Sequence, residues 1–201
     1  MTLAALQNEA DALSPGLLVY PDRVDTNLRR MIKRVGDASR LRPHIKTHKL
    51  PQIVALQVAL GITKCKAATI AEAEMAAAAG VRDILLAAQL VAPNVTRFLA
   101  LMRAFPNVAF STLVDDPSVL ANLAESAASA AQVIEVLLDL DIGQHRTGIA
   151  PGPKAVELYQ KIGAYPALRA GGLHAYDGHL HQSNLAERTA ASEAAFAPVW
   201  Q

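Results

Sequence analysis

Residues 64–87 read KCKAATIAEAEMAAAAGVRDILLA, and this stretch decides the fold class. Its first five residues, KCKAA, and the run DILLAA at 83–88 read as short strands. The segment between them is helical in pattern. It opens on Thr69 with Glu72 three residues later, the spacing at which a threonine hydroxyl and a glutamate carboxylate cap a helix start reciprocally. It closes on Gly80, a residue suited to the left-handed backbone that ends a helix. A strand, a helix and a strand in so short a span imply a parallel βα unit, because parallel strands need a crossover connection.

The same rhythm extends in both directions. Further strands are predicted at 42–46 (RPHIK), 108–114 (VAFSTLV), 134–140 (IEVLLDL) and 171–176 (GGLHAY). Upstream, PDRVDTNLRRMIKRVGDAS places Val24, Leu28, Met31, Ile32 and Val35 on one helical face. The segments PNVTRFLALMRAF, DPSVLANLAESAASA and GPKAVELYQKIGA each carry a proline near the first helical turn, where its missing N–H costs nothing. Alternating βα units leave a doubly wound open sheet or a closed (β/α)8 barrel. No G-x-G-x-x-G follows the first predicted strand, which removes the usual dinucleotide fingerprint. The expectation is therefore an α/β chain forming a TIM-type barrel. A complete barrel takes about 250 residues and eight strands. Six βα units are counted, so residues 1–201 are expected to be one incomplete barrel domain, a fragment of a longer chain.

Composition bounds the function. The 201 residues carry a net charge of +1, with 52% hydrophobic, 18% charged and 4% aromatic residues. That balance suits a packed globular enzyme and opposes a disordered chain. It gives no support to nucleic-acid binding, which usually shows a basic face. No apolar run reaches the roughly 18 residues that span a bilayer, so no membrane partner is expected. The N-terminal MTLAALQNEADALSPG carries acids and no basic segment, which argues against a signal peptide. With Cys65 the single cysteine, an internal disulfide is excluded and a cytoplasmic setting is expected.

Three clusters could carry chemistry. In LRPHIKTHKLPQ (41–52), Arg42, His44, Lys46, His48 and Lys49 can all be positive. Lys46 is expected at the carboxyl end of the first strand, where barrel function sits, with His44 on the same strand face. A lysine at that lip, with its pKa depressed by burial and neighbouring cations, is a nucleophile for carbonyl carbon. A solvated basic loop is an equally fair reading, and a nucleic-acid patch a weaker one. The second cluster is LDLDIGQHRTGIAPG (138–152). Asp139 and Asp141 share a face, glycines permit a tight loop, and Arg146 offers a fork of donors for an anion. An ordinary turn with a paired arginine is the plainer alternative. The third, GGLHAYDGHLHQ (171–182), puts His174 and Tyr176 on one face and gives His179 and His181 an H-x-H spacing. That spacing alone is a weak metal signal.

Taken in order, RPHIKTHK, KCKAATIAEAEMAAAAGVRDILLA, LDLDIGQHRTGI and GGLHAYDGHLHQ resemble the D-threonine aldolase and D-serine dehydratase group. That group belongs to the alanine racemase-like, fold-type III pyridoxal 5′-phosphate (PLP) enzymes. The resemblance runs from about Ser14 to the end of the chain and implies a barrel of the alanine racemase N-terminal type. It implies that Lys46 is the catalytic lysine that joins covalently to PLP, with His44 beside it. It implies that Arg146 lies near the cofactor's phenolic oxygen and Tyr176 beside its pyridine ring. The phosphate loops and a C-terminal β-domain bearing the ligands of a divalent metal, zinc or manganese, are expected beyond Gln201. No metal ligand is therefore assigned within the chain. The resemblance further implies a homodimer acting on a small D-amino acid with a β-hydroxyl, by retro-aldol cleavage of D-threonine-like substrates or dehydration of D-serine. Alternatives are an amino-acid racemase, a non-catalytic PLP-binding protein and, from another class, a metal-dependent barrel hydrolase using His174, His179 and His181.

Overall fold

The computed structural model describes residues 8–200; the first seven residues of the acidic N-terminal stretch and Gln201 lie outside the described residues. Five strands form one sheet: β1 (Lys64–Ala67), β2 (Asp83–Gln89), β3 (Ala109–Val114), β4 (Ile134–Leu140) and β5 (Leu168–Ala175). They lie side by side in sequence order, and every pair is parallel. Helices α1 (Pro21–Val35), α2 (Pro51–Ala59), α3 (Ile70–Ala78), α4 (Asn94–Ala104), α5 (Pro117–Ser129), α6 (Pro153–Gly163) and α7 (Leu185–Phe196) precede, link and follow the strands. A doubly wound sheet reverses its strand order at a switch point. This sheet never reverses, so it winds as a β/α barrel does. The described residues form an open arc of that barrel, with five regular strands and no closure.

Period-two alternation sorts the residues between two faces. Ile84 and Leu86 of β2, Phe110 and Val114 of β3, and Val136 and Leu138 of β4 join Ala73, Ala76, Phe98, Leu120, Leu123, Leu158 and Ile162 of the helices in one buried core. Phe98 meets Phe110 edge to face at 6.1 Å between ring centres. The small side chains of α3 let that helix lie close against the sheet. The opposite face is the concave one, and it carries Lys66, Glu135 and Asp139 among its residues.

The cap read from the sequence is present, with one change. Thr69 Oγ1 accepts the Glu72 N–H at 3.1 Å, but the Glu72 carboxylate reaches back to the Ala68 N–H at 2.7 Å, not to that of Thr69. Its other oxygen takes the Lys49 ammonium at 3.4 Å. Capping of this kind contributes about 1 kcal/mol, and here it also ties the loop after Lys46 to α3.

The predicted first strand is corrected. Within 42–46 only His44 forms a β-bridge, parallel to Lys66, and the Lys66 N–H donates to the Pro43 carbonyl at 2.8 Å. Ile45–Thr47 then turns as a 3-10 helix. Pro43 has no N–H to give a ladder, and the His44 ring nitrogen Nδ1 faces the Lys46 N–H at 3.4 Å, a local contact that competes with strand pairing. His44 and Lys46 are thus not two positions on one strand face. The segment is held instead by Arg42, which donates two 2.6 Å bonds to the Asp83 carboxylate. The last predicted strand also shifts. It begins at Leu168 and stops at Ala175, so Tyr176, Asp177 and His179 do not continue its alternation.

Among the described residues, no helix is long and apolar enough to cross a membrane.

Candidate active site

The carboxyl ends of the strands place five polar side chains in contact. Lys66 of β1, Gln89 of β2, Asp139 of β4 and His174 of β5 share the concave face, and Asp115 sits one residue past β3. The Asp139 carboxylate is buried. One of its oxygens lies 2.7 Å from His174 Nδ1, and the other accepts from Gln89 Nε2 at 2.9 Å. The same Gln89 nitrogen donates to Asp115 Oδ2 at 2.9 Å, and that oxygen also accepts the Gly148 N–H at 2.8 Å. On the far side, His174 Nε2 is 3.4 Å from Lys66 Nζ. Burial pushes the Asp139 carboxyl up, but hydrogen bonds from His174, Thr147 and Gln89 and the charge of His174 outweigh it, so its pKa is net lowered. The Lys66 ammonium has its pKa lowered by burial first, then by the charges of Lys46 and Arg42, against the opposing pull of Asp139 and Asp177.

The loop after β4 is folded on itself. Asp141 accepts the N–H groups of His145 at 2.9 Å and Gly143 at 3.0 Å, and its second oxygen meets the His145 ring at 2.8 Å. These bonds, led by the one from the His145 backbone, bring the Asp141 carboxyl down to about 2. Ile149 bridges back in parallel to Leu140, closing the loop. Gly148 is required there, because its φ is +99° and a Cβ would stand 2.6 Å from the Asp141 nitrogen.

This loop presents Arg146, whose guanidinium carbon sits 5.2 Å from the centre of the Tyr176 ring. Lys66 Nζ lies 5.9 Å from the same ring, so two cations flank one phenol. Tyr176 is 39% exposed and thus open to a ligand. The Gly178 backbone packs so closely on it that a Cβ would run into the ring and its hydroxyl. Lys46 is exposed on its turn. Among the described residues, neither Lys46 nor Arg146 has a carboxylate within ion-pairing distance. His44 is neutral at physiological pH. Burial, then the charges of Lys46 and Lys66, lower its pKa to about 4.

The structure therefore brings Arg146 and Tyr176 together, with Lys46 and His44 as charge neighbours of Lys66. It separates the other histidines. His174 is engaged by Asp139 and Lys66, and His179 faces Gly143 with its Nδ1 buried and without a hydrogen-bond partner. Among the described residues, no group of three or more His, Cys, Asp or Glu side chains could hold a metal, His174, His179 and His181 included. Sequence reasoning missed Lys66, Gln89 and Asp115. The available signal was a charged or amide side chain close to the carboxyl end of a strand, repeated at β1, β2 and β3.

Comparison with known proteins points the same way. The alanine racemase, N-terminal domain family matches residues 19–200. The chain is 33% identical over 151 residues to a D-threonine aldolase of an Arthrobacter species, covering 75% of this chain and 39% of that protein. It is 29% identical over 178 residues to a D-threo-3-hydroxyaspartate dehydratase of Delftia sp. strain HT23, covering 87% and 46%. The crystal structure of D-threonine aldolase from Filomicrobium marinum superposes with a TM-score of 0.86 at 32% identity, over 96% of this chain and 52% of that one. The chain thus spans about half the length, or less, of the relatives it matches.

Proposed function

Because the chain belongs to the alanine racemase N-terminal domain family, a PLP-dependent family, we propose that Lys46 joins covalently to PLP and that the protein is a lyase for D-amino acids bearing a β-hydroxyl. Residues 1–201 are, in this reading, the cofactor-binding barrel portion of that enzyme. The observation that carries it is the rim itself. A guanidinium without a carboxylate partner among the described residues stands 5.2 Å from an exposed phenol ring, and the exposed, likewise unpaired amine of Lys46 is a charge neighbour of Lys66, which lies 5.9 Å from the same ring. That set fits a flat, anionic, aromatic aldehyde: an amine for the carbonyl carbon, a guanidinium for a ring oxygen, an aromatic face for the ring. When bound, the cofactor supplies an electron sink for charge developing at the substrate's α-carbon.

The chain's own residues then divide the work. Lys46 would hold the cofactor through its amine, and that amine would be the group placed to move a proton at the substrate's α-carbon. Arg146, a donor fork on a closed loop, would balance negative charge on the ring oxygen. Tyr176 would cover part of the ring. His44, neutral at physiological pH, faces the Lys46 backbone N–H without adding a second charge beside the amine. No described group fits a divalent metal, so no step is assigned to one. The metal and the homodimer rest on the family resemblance, and the cytoplasmic setting on the single cysteine.

Aldol cleavage is the leading reaction, supported by the 33% identity and the 0.86 superposition with D-threonine aldolases. Dehydration is the second, supported by the Delftia relative. Incubating the intact, PLP-loaded protein with D-threonine and with D-serine separates them. Glycine and acetaldehyde from D-threonine are expected, and pyruvate and ammonia from D-serine would make the enzyme a dehydratase. Lys46→Ala is expected to lower either rate by at least about 10³-fold. Conversion of D to L isomers, or no turnover by a protein that retains its visible cofactor band, would overturn the lyase reading.

A further inference from the structure

Gln89 lies at the end of β2 and touches neither Lys46 nor Tyr176, yet it joins the parts of the rim. Its Nε2 is 2.9 Å from Asp115 Oδ2 and 2.9 Å from Asp139 Oδ2. A carboxylate only accepts, so the amide must turn its NH2 toward both, and both hydrogens are committed. Asp139 uses its other oxygen to accept from His174 Nδ1 at 2.7 Å, so that a neutral His174 presents Nε2 as an acceptor. Lys66 Nζ, 3.4 Å from that nitrogen, is then the donor. In the other direction, Asp115 takes the Gly148 N–H at 2.8 Å and so closes the loop that carries Arg146. One arm ends on a cation 5.9 Å from the Tyr176 ring and the other on a loop whose cation is 5.2 Å from the same ring.

We propose that Gln89 is a positioning residue that sets Lys66 and Arg146 together against Tyr176, by donating one amide hydrogen to each of two carboxylates. This rests on the reading that the rim around Tyr176 receives PLP. The two arms are not equally dependent on Gln89. The loop arm has independent support, because Ile149 donates its N–H to the Asp139 carbonyl and Thr147 bonds to the Asp139 side chain. The Lys66 arm runs through His174 alone. Removing the amide therefore acts mainly on Lys66.

The test is PLP binding by the intact protein, stripped of cofactor and titrated with PLP, with the dissociation constant read from the visible absorbance. Gln89→Met keeps length and volume but has no N–H. It is expected to weaken PLP about tenfold, the scale of one charge-assisted hydrogen bond, with the circular dichroism of the wild type retained. Gln89→Glu, which sets a third carboxylate among acceptors, is expected to weaken PLP further. In a Lys66→Met background, Gln89→Met should cost less than about twofold more, since its main arm is already gone. Wild-type affinity in Gln89→Met, or an equal loss with and without Lys66, overturns the inference, because a merely structural glutamine would act independently of Lys66. Should Gln89→Met not fold, Lys66→Met and Arg146→Met carry the test, singly and together. Losses smaller in the double variant than their product support coupling, and strictly multiplicative losses overturn it. A wild-type protein that takes up no PLP overturns the cofactor reading itself, an outcome distinct from a tight wild type with an indifferent Gln89.

Discussion

Residues 41–50 and residues 139–149 each carry one cation of the proposed site, and they are built in opposite ways. The first is a bridge and a single 3-10 turn, tied down before Lys46 by Arg42 on Asp83 and after it by Lys49 on Glu72. Lys46 itself is exposed between these ties. The second is closed by its own side chain, with Asp141 taking two N–H groups and the His145 ring, and Gly148 locked onto Asp115. An amine that must form a bond, release it and move a proton gains from a long stem on a short turn. A guanidinium that only balances charge gains from a frame that does not reorganise. In the proposed reading the two cations, alike in charge, are prepared for different tasks by the side-chain contacts that hold each segment.

Gly148→Ala attacks the rigid region where it is tightest. With φ at +99° and the new Cβ 2.6 Å from the Asp141 nitrogen, the loop must open. A loss of about 2–3 kcal/mol in urea unfolding is expected, with Arg146 displaced from Tyr176. A loss under about 0.5 kcal/mol would show that the loop tolerates an open form, and the contrast would fail.

A smaller effect separates the two regions by pH. The folded pKa of His44 is about 4 against an ordinary 6.5, so on acidification the unfolded chain takes up its proton first. The stability contributed by neutral His44 is complete above pH 6.5 and is lost as the pH falls toward 4. His48, also lowered by burial, acts in the same direction. The Asp141 carboxyl, at about 2 against 3.8, contributes stability that is complete above its ordinary pKa and is lost only as the pH falls from about 4 toward 2. The first window thus belongs to the Lys46 segment, and the Arg146 loop acts only in the second, which it shares with the lowered carboxyls of Asp37, Asp116, Asp139 and Glu157. Unfolding curves between pH 7 and 4.5 should lose part of their slope in His44→Asn, while the fall below pH 4 stays. An unchanged upper slope would remove His44 from the account.

Much of this was legible in the sequence, for a physical reason. Where burial on one face dictates the residue pattern, as in IEVLLDL and VAFSTLV, the strands lie within one residue of where the pattern puts them. The Thr69 and Glu72 cap depends on four adjacent residues and was readable for the same reason. RPHIK was not. Its composition suits a strand, but Pro43 removes a ladder donor and the His44 ring turns to the next backbone, an outcome decided by two local contacts that periodicity does not see. Asp139 and His174 stood out as polar residues on known strand faces. Their bond to one another, and the parts played by Lys66, Gln89 and Asp115, join the ends of five successive strands far apart in sequence. They appear only when the strands are laid in order around the arc.

The central claim is that the amine of Lys46 is the one that joins the cofactor. Lys66, the half-buried second amine of the rim, makes this a real alternative. Reducing the PLP-loaded intact protein with borohydride and mapping the pyridoxyl-labelled peptide decides between them. The account predicts a single label on Lys46. A label on Lys66, or on any other lysine, contradicts it.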